Sequence, residues 1–186
     1  MICKRWLNIM MEEPKIYLDI ETSSLDADSG MVVAIGYAIG DEDPNIIFVK
    51  SFDDEKNIIS KIFSIIKEKN VITFNGSFFD IPFLIARGLK YNLYLPKVEN
   101  IDLYCWARKF LRLQSRSFHE ICLFYSIPHE EISGKEVNEL FIKAVSGDSS
   151  AKDRIITHLN QDIKALRTLY ELVRPLLENY PPPNEF

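Results

Sequence analysis

The stretch Lys15-Ile16-Tyr17-Leu18-Asp19-Ile20-Glu21-Thr22 reads as a short apolar strand, Lys15 to Ile20, that delivers two acids at its end. Side chains at i and i+2 of a strand point to the same face, so Asp19 and Glu21 can share one ion. Acids also flank strand ends in ordinary turns. A strand that is apolar on both sides of its acids is a costly carrier for them unless something positive fills the space between.

Outward from this strand the pattern alternates. Met31 to Gly40 and Asn45 to Phe52 read as two more strands across a turn at Asp41 to Pro44, which makes a three-strand meander. Asp54 is placed to cap a helix carrying Ile58, Ile59, Ile62, Ile65 and Ile66 at three- and four-residue spacing, ending near Asn70. Val71 to Phe74 is a brief buried strand and Asn75-Gly76 a turn. Phe78 to Arg87 is a helix closed by Gly88, and Val98 to Leu103 a fifth strand. Four helices are then expected, at Tyr104 to Arg112, Phe118 to Tyr125, Glu136 to Val145 and about Ser150 to Glu178. The sum is a mixed α/β arrangement whose crossover has the length that a parallel pair needs.

The 186 residues fit one domain over 1–186, with an N-terminal extension at 1–13 and a loose tail at 179–186. Hydrophobic residues at 47% and charged residues at 26% match a soluble globular chain, and no apolar run approaches the roughly 20 residues that span a bilayer. Met1 to Met11 lacks the apolar core of a signal peptide. Cys3, Cys105 and Cys122 are odd in number and widely spaced, which suggests a reducing, cytoplasmic setting without a membrane partner. The net charge of −5 speaks mildly against a nucleic-acid partner. If four of the acids hold metal, the remaining surface is near neutral and the ions themselves attract phosphate.

Two further acids stand out. Asp80 lies just inside a helix, in Phe74-Asn75-Gly76-Ser77-Phe78-Phe79-Asp80-Ile81-Pro82-Phe83-Leu84, where Ser77 and Asp80 also match an S-x-x-D capping box. Capping and cleft-facing roles can coexist there. Asp162 falls in the core-facing stripe Ile155, Leu159, Asp162, Leu166, Tyr170, Val173 of the last helix. An unpaired buried carboxylate costs several kcal/mol or changes protonation, so Asp162 must meet a metal or a buried Arg or Lys. His158, one turn earlier, projects from the same side.

Together these pieces resemble the DEDD exonuclease superfamily, of ribonuclease H-like fold, and within it the exonuclease domains of family B DNA polymerases and their stand-alone relatives. The resemblance covers Lys15 to Leu177. Its motifs are Tyr17-Leu18-Asp19-Ile20-Glu21-Thr22, the Asn75 to Leu84 segment, and His158-Leu159-Asn160-Gln161-Asp162. The Tyr subtype places Tyr four residues before its last Asp and the His subtype places His five before; this chain has His at four. Asp102, in Ile101-Asp102-Leu103-Tyr104, matches a segment frequent in these relatives and is read as a supporting acid.

The resemblance implies a mixed five-stranded sheet flanked by helices, and a 3′-5′ exonuclease that releases 5′-nucleotides from single-stranded DNA or frayed 3′ ends, with RNA as a close variant, in repair or proofreading. It implies two Mg²⁺ or Mn²⁺ ions, with Asp19 bridging both, Glu21 and Asp162 holding the ion that activates water, Asp80 supporting the second, and His158 as base for the water. Hard oxygen-preferring cations suit four carboxylates better than zinc does. Asn75 and Phe79 are candidate substrate contacts, with Phe78 and Phe79 either stacking on bases or, for at least one of them, buried in the core. Arg108, Arg112 and Arg116 recur every four residues beside Lys109, as a helix face that either tracks phosphates or is merely solvated. The competing reading is a non-catalytic nucleic-acid-binding or scaffold protein, against which the retention of all four acids speaks.

Overall fold

Alternation along β1 (Ile16–Thr22), the middle strand of the sheet, sorts its side chains onto two faces. Ile16, Leu18 and Ile20 pack with Ile58, Ile59 and Ile62, while Tyr17 joins Ile163, Leu166 and Tyr170 in a second cluster. The computed structural model describes residues 14–177 and 179–182. In them β2 (Val32–Ile39) and β3 (Asn45–Phe48) form the antiparallel meander, and β4 (Asn70–Thr73) and β5 (Glu99–Asp102) add in parallel on the other side, in the order β3-β2-β1-β4-β5. Parallel neighbours need crossovers, which α1 (Glu55–Ile66) and α2 (Asp80–Lys90) supply. Then follow α3 (Leu103–Phe110), α4 (Phe118–Phe124), α5 (Gly134–Val145) and the long α6 (Ser149–Leu177). The mixed five-stranded α/β architecture is the one expected.

The contact that brings the last helix to the first strand depends on a glycine. Asp19 pairs with Gly36 across β1 and β2, and Glu21 with Ala34. Directly opposed residues share a face, so both acids look across small side chains. A Cβ on Gly36 would lie 2.7 Å from Leu159 Cγ and 3.0 Å from Ile163 Cγ1 of α6. Gly36→Ala is therefore expected to push α6 outward at a cost of about 1–3 kcal/mol, displacing Asp162 with it. A melting temperature equal to wild type would refute this.

A second anchor was not visible in the sequence. Glu55, at the start of α1, is fully buried and accepts hydrogen bonds from the Val32 N–H (2.7 Å), Arg87 Nε (2.8 Å) and Nη2 (2.5 Å), and the Tyr91 hydroxyl (2.6 Å). Arg87 Nη1 also donates to the Ala27 carbonyl at 2.9 Å. Burial works to raise the Glu55 carboxyl pKa, but these donors outweigh it and the net direction is downward. One ion pair thus ties α1, α2, β2 and the loop after β1 together.

Several boundaries move for physical reasons. Gly88 does not close α2 but lies inside it, where a Cβ would come within 3.0 Å of the Leu93 carbonyl and the Phe63 ring; its smallness serves helix contact. Asp54 does not cap α1 with its side chain, which instead accepts from the Lys50 N–H and Asn57 Nδ2. The expected extension at 1–13 lies outside the described residues. The expected loose tail is described only over 179–182, and there it is held: Trp106 Nε1 donates to the Tyr180 carbonyl at 2.9 Å and Phe110 meets the Tyr180 ring edge-on. No helix of the described residues is long and apolar enough to cross a membrane.

Candidate active site

Three elements deliver the acids to the C-terminal end of β1. Asp19 and Glu21 come from the strand itself, Asp80 from the first turn of α2, and Asp162 from the buried side of α6. The Ile20 N–H donates to Asp80 Oδ1 at 3.1 Å, which locks α2 against β1 between the two strand acids. The capping box does not form, because Ser77 Oγ accepts from Asn100 Nδ2 and the α2 start has no side-chain cap. Asp80 is thereby left to the cleft.

Asp102 is the support for this turn. Its carboxylate accepts from the Asn75 N–H at 2.8 Å, the Ser77 N–H at 2.8 Å and the Tyr104 N–H at 2.9 Å. That holds Asn75 in the left-handed region, at φ 65°, a conformation Asn tolerates better than most residues. At Gly76 any Cβ would stand 2.4 Å from the Thr73 side chain. The Asn-Gly pair is a geometric requirement for presenting Asp80.

The acids repel one another out of water. Asp19 is held well above the ordinary carboxylate range by burial first, then by Asp80, Asp162 and Glu21. Burial pushes Glu21 up to about 8, helped by the Asp162 and Asp80 charges. Asp80 rises to about 7, chiefly from burial, with the Asp102 charge adding and backbone N–H groups opposing. Burial and mutual repulsion thus favour the protonated form of all three, and a nearby cation would favour the ionised form instead.

Histidines surround Asp162. His158 Nε2 lies 3.2 Å from Asp162 Oδ2 and 3.3 Å from Glu21 Oε1. His129 Nε2 lies 3.0 Å from Asp162 Oδ1 without completing a hydrogen bond, and His129 Nδ1 meets His119 Nδ1 at 3.2 Å. Imidazole thus stands where an Arg or Lys partner was the alternative. The chain has three histidines, and all of them line up through this acid. His119 and His129 were missed in the sequence because they sit on α4 and in the loop after it, with no fixed spacing to Asp162.

The remaining expected contacts are less convergent. Phe79 leans on Phe83 and the core, at 5.7 Å between ring centroids, whereas Phe78 is 51% exposed beside Asp80. Phe78 is the ring left to meet a base. The arginine stripe does not form, since α3 ends at Phe110; only Arg108 is helical, over the Tyr104 ring at 5.7 Å. Arg112 and Arg116 follow in the connecting loop, where Arg116 Nε donates to the Leu111 carbonyl. Leu111 is extended at ψ 132°, which ends the helix and the four-residue spacing with it.

The donor set fits a divalent cation. Glu21, His158 and Asp162 each offer a ligand atom within 4.8 Å of the others, with Asp19 and Asp80 alongside, and Asp162 Oδ1 is buried with no hydrogen bond. Without such an ion the folded protein binds protons on Glu21 and Asp80 that the unfolded chain, with ordinary carboxyls near 4, has released. Stability should then fall as pH rises through that window. The His158 pKa, lowered mainly by burial against the opposing pull of Asp162, works the other way only below its ordinary 6.5. In EDTA the melting temperature is therefore expected to drop from pH 6.5 to 8, and Mn²⁺ should abolish the drop. A flat or rising curve in EDTA would contradict the charge assignment.

The family profile of the RNase_H superfamily matches residues 16–174. A protein from Methanocaldococcus jannaschii named only as uncharacterised is 28% identical over 171 residues, covering 86% of this chain and 94% of its own length. The DNA polymerase of the same organism is 34% identical over 118 residues, 48% of this chain but 7% of the polymerase. The DNA polymerase of Thermococcus litoralis is 24% identical across 87% of this chain and 11% of its own. Among solved structures, the family B DNA polymerase of Pyrobaculum calidifontis superposes with a TM-score of 0.78 at 16% identity, over 92% of this chain and 26% of that one, a likeness of fold. The chain thus spans nearly the whole of the first relative and a small part of the polymerases.

Proposed function

This chain belongs to the RNase H superfamily, and from that premise we propose that it is a divalent-cation-dependent 3′-5′ exonuclease that removes 5′-nucleotides from single-stranded DNA or frayed 3′ ends. RNA is the close variant. Its nuclease-like fold is related to that of polymerase exonuclease domains. The single observation that carries the reading is the convergence of Asp19, Glu21, Asp80 and Asp162 on one end of β1, with pKa values raised in the three strand and turn acids. Such a concentration of buried negative charge is costly as it stands and becomes favourable around cations.

Asp19 would bridge two ions, Glu21 and Asp162 would hold one with it, and Asp80 the other. Bound Mg²⁺ or Mn²⁺ would supply charge neutralisation for the attacked phosphate and activation of the attacking water. The protein's own part is positional. The Asp80 clasp on the Ile20 N–H and the close seat of α6 on Gly36 set the spacing of the acids. His158 adds an imidazole nitrogen on the Glu21–Asp162 side. The exposed Phe78 offers a stacking face to a terminal base, Asn75 lies in the same turn, and Arg108, over the Tyr104 ring, would lend positive charge to a phosphate. A cytoplasmic role in repair or proofreading follows from the same reading.

The test is digestion of 5′-labelled single-stranded DNA and its RNA counterpart with Mg²⁺, Mn²⁺ or EDTA. A ladder that shortens from the 3′ end only with metal is expected, and the faster substrate names the polymer. Intact oligonucleotide in every lane would transfer the protein to the non-catalytic binding class.

A further inference from the structure

We propose that His158 is itself a metal ligand through Nε2, completing with Glu21 and Asp162 a site that takes Mn²⁺ in preference to Mg²⁺. The inference rests on the metal-dependent nuclease reading above and gives His158 a direct bond to the ion in place of the base role that the resemblance implies.

The distances carry it. Metal bonds of about 2.0–2.2 Å, at angles between octahedral and tetrahedral, separate neighbouring donor atoms by about 3.0–3.5 Å. Nε2 stands 3.3 Å from Glu21 Oε1 and 3.2 Å from Asp162 Oδ2, both inside that interval. An ion shared by these two acids would have Nε2 as its next neighbour.

Two independent features agree. Asp162 and His158 are each 7% exposed, so Oδ2, the Asp162 oxygen that faces Nε2, would meet an ion out of bulk water. On the outer flank of Asp162, His129 at 3.0 Å, backed by His119, is placed as the supporting partner that ligating carboxylates commonly have. The two imidazoles thus divide the work: His129 flanks the acid, and His158 faces the ion. A nitrogen donor in a carboxylate set shifts preference from Mg²⁺, which favours oxygen and keeps its waters, toward later divalent metals.

The test uses Mn²⁺ alone as probe on the full chain. Electron spin-echo modulation of bound Mn²⁺ is expected to show coupling to a directly bound ¹⁴N in the wild type. The coupling should vanish in His158→Asn and persist in His129→Asn, with folding checked by circular dichroism. Calorimetric titration should show the Mn²⁺ to Mg²⁺ affinity ratio falling about 10-fold or more in His158→Asn. Tight Mn²⁺ binding without nitrogen coupling in the wild type, a measurement that needs no variant, overturns the ligand assignment and leaves the nuclease reading intact. Coupling that survives His158→Asn does the same. Absence of any Mn²⁺ binding overturns both.

Discussion

Asp19→Asn is expected to lower the proposed nuclease activity by about 10³-fold while making the metal-free protein more stable. The loss follows from removing the carboxylate that would bridge both ions, an effect at least as large as deleting one strong transition-state contact. The gain follows from the charges: Asp19 is held well above its ordinary pKa by burial and three neighbouring acids, so at pH 8 folding must either bind a proton or bury repelling charge. A neutral amide of the same shape relieves that. In EDTA at pH 8 a rise of roughly 2–6 °C in melting temperature is expected for a chain of this size. Added Mn²⁺ should stabilise the variant much less than the wild type. A variant that is both less active and less stable in EDTA would mean that Asp19 serves the fold and not a cation.

Arg87→Met should behave in the opposite sense, leaving the site chemistry in place while weakening the frame. It strands the fully buried Glu55 carboxylate, which then keeps only the Val32 N–H and the Tyr91 hydroxyl. Breaking one partner of a buried ion pair costs about 3–5 kcal/mol, here roughly 6–20 °C in melting temperature. The double variant Glu55→Gln with Arg87→Met should recover part of the loss, since no unpaired charge remains. A single variant within about 1 °C of wild type would show that the pair contributes little. At temperatures where both are folded, the variant is expected to keep activity, which separates this pair from the four acids.

Much of the frame was readable because it rests on periodicity. The alternation around Asp19, the isoleucine stripe of α1 and the stripe from Ile155 to Val173 each name a buried face, and those faces are the ones that pack. What periodicity does not encode went astray. The end of α3 depends on how Leu111 leaves the helix, so the arginine spacing misled, and Gly88 looked like a stop signal because its contact with Phe63 lies on another helix.

The sequence by itself determined the order of strands and helices, the apolar face of each, and that Asp19, Glu21 and Asp162 lie where no solvated acid belongs. These are local properties, set by side-chain spacing within one element. Only the tertiary structure decided that Gly36 lets α6 approach Asp19, that Ile20 clasps Asp80, that Arg87 answers Glu55, and that His129 flanks Asp162. Each of these joins residues from separate elements, 17 positions apart in the Gly36–Asp19 pairing and 60 in the Ile20–Asp80 bond. Pairings over such separations are fixed by packing and by the burial of charge, quantities that no window of the chain contains.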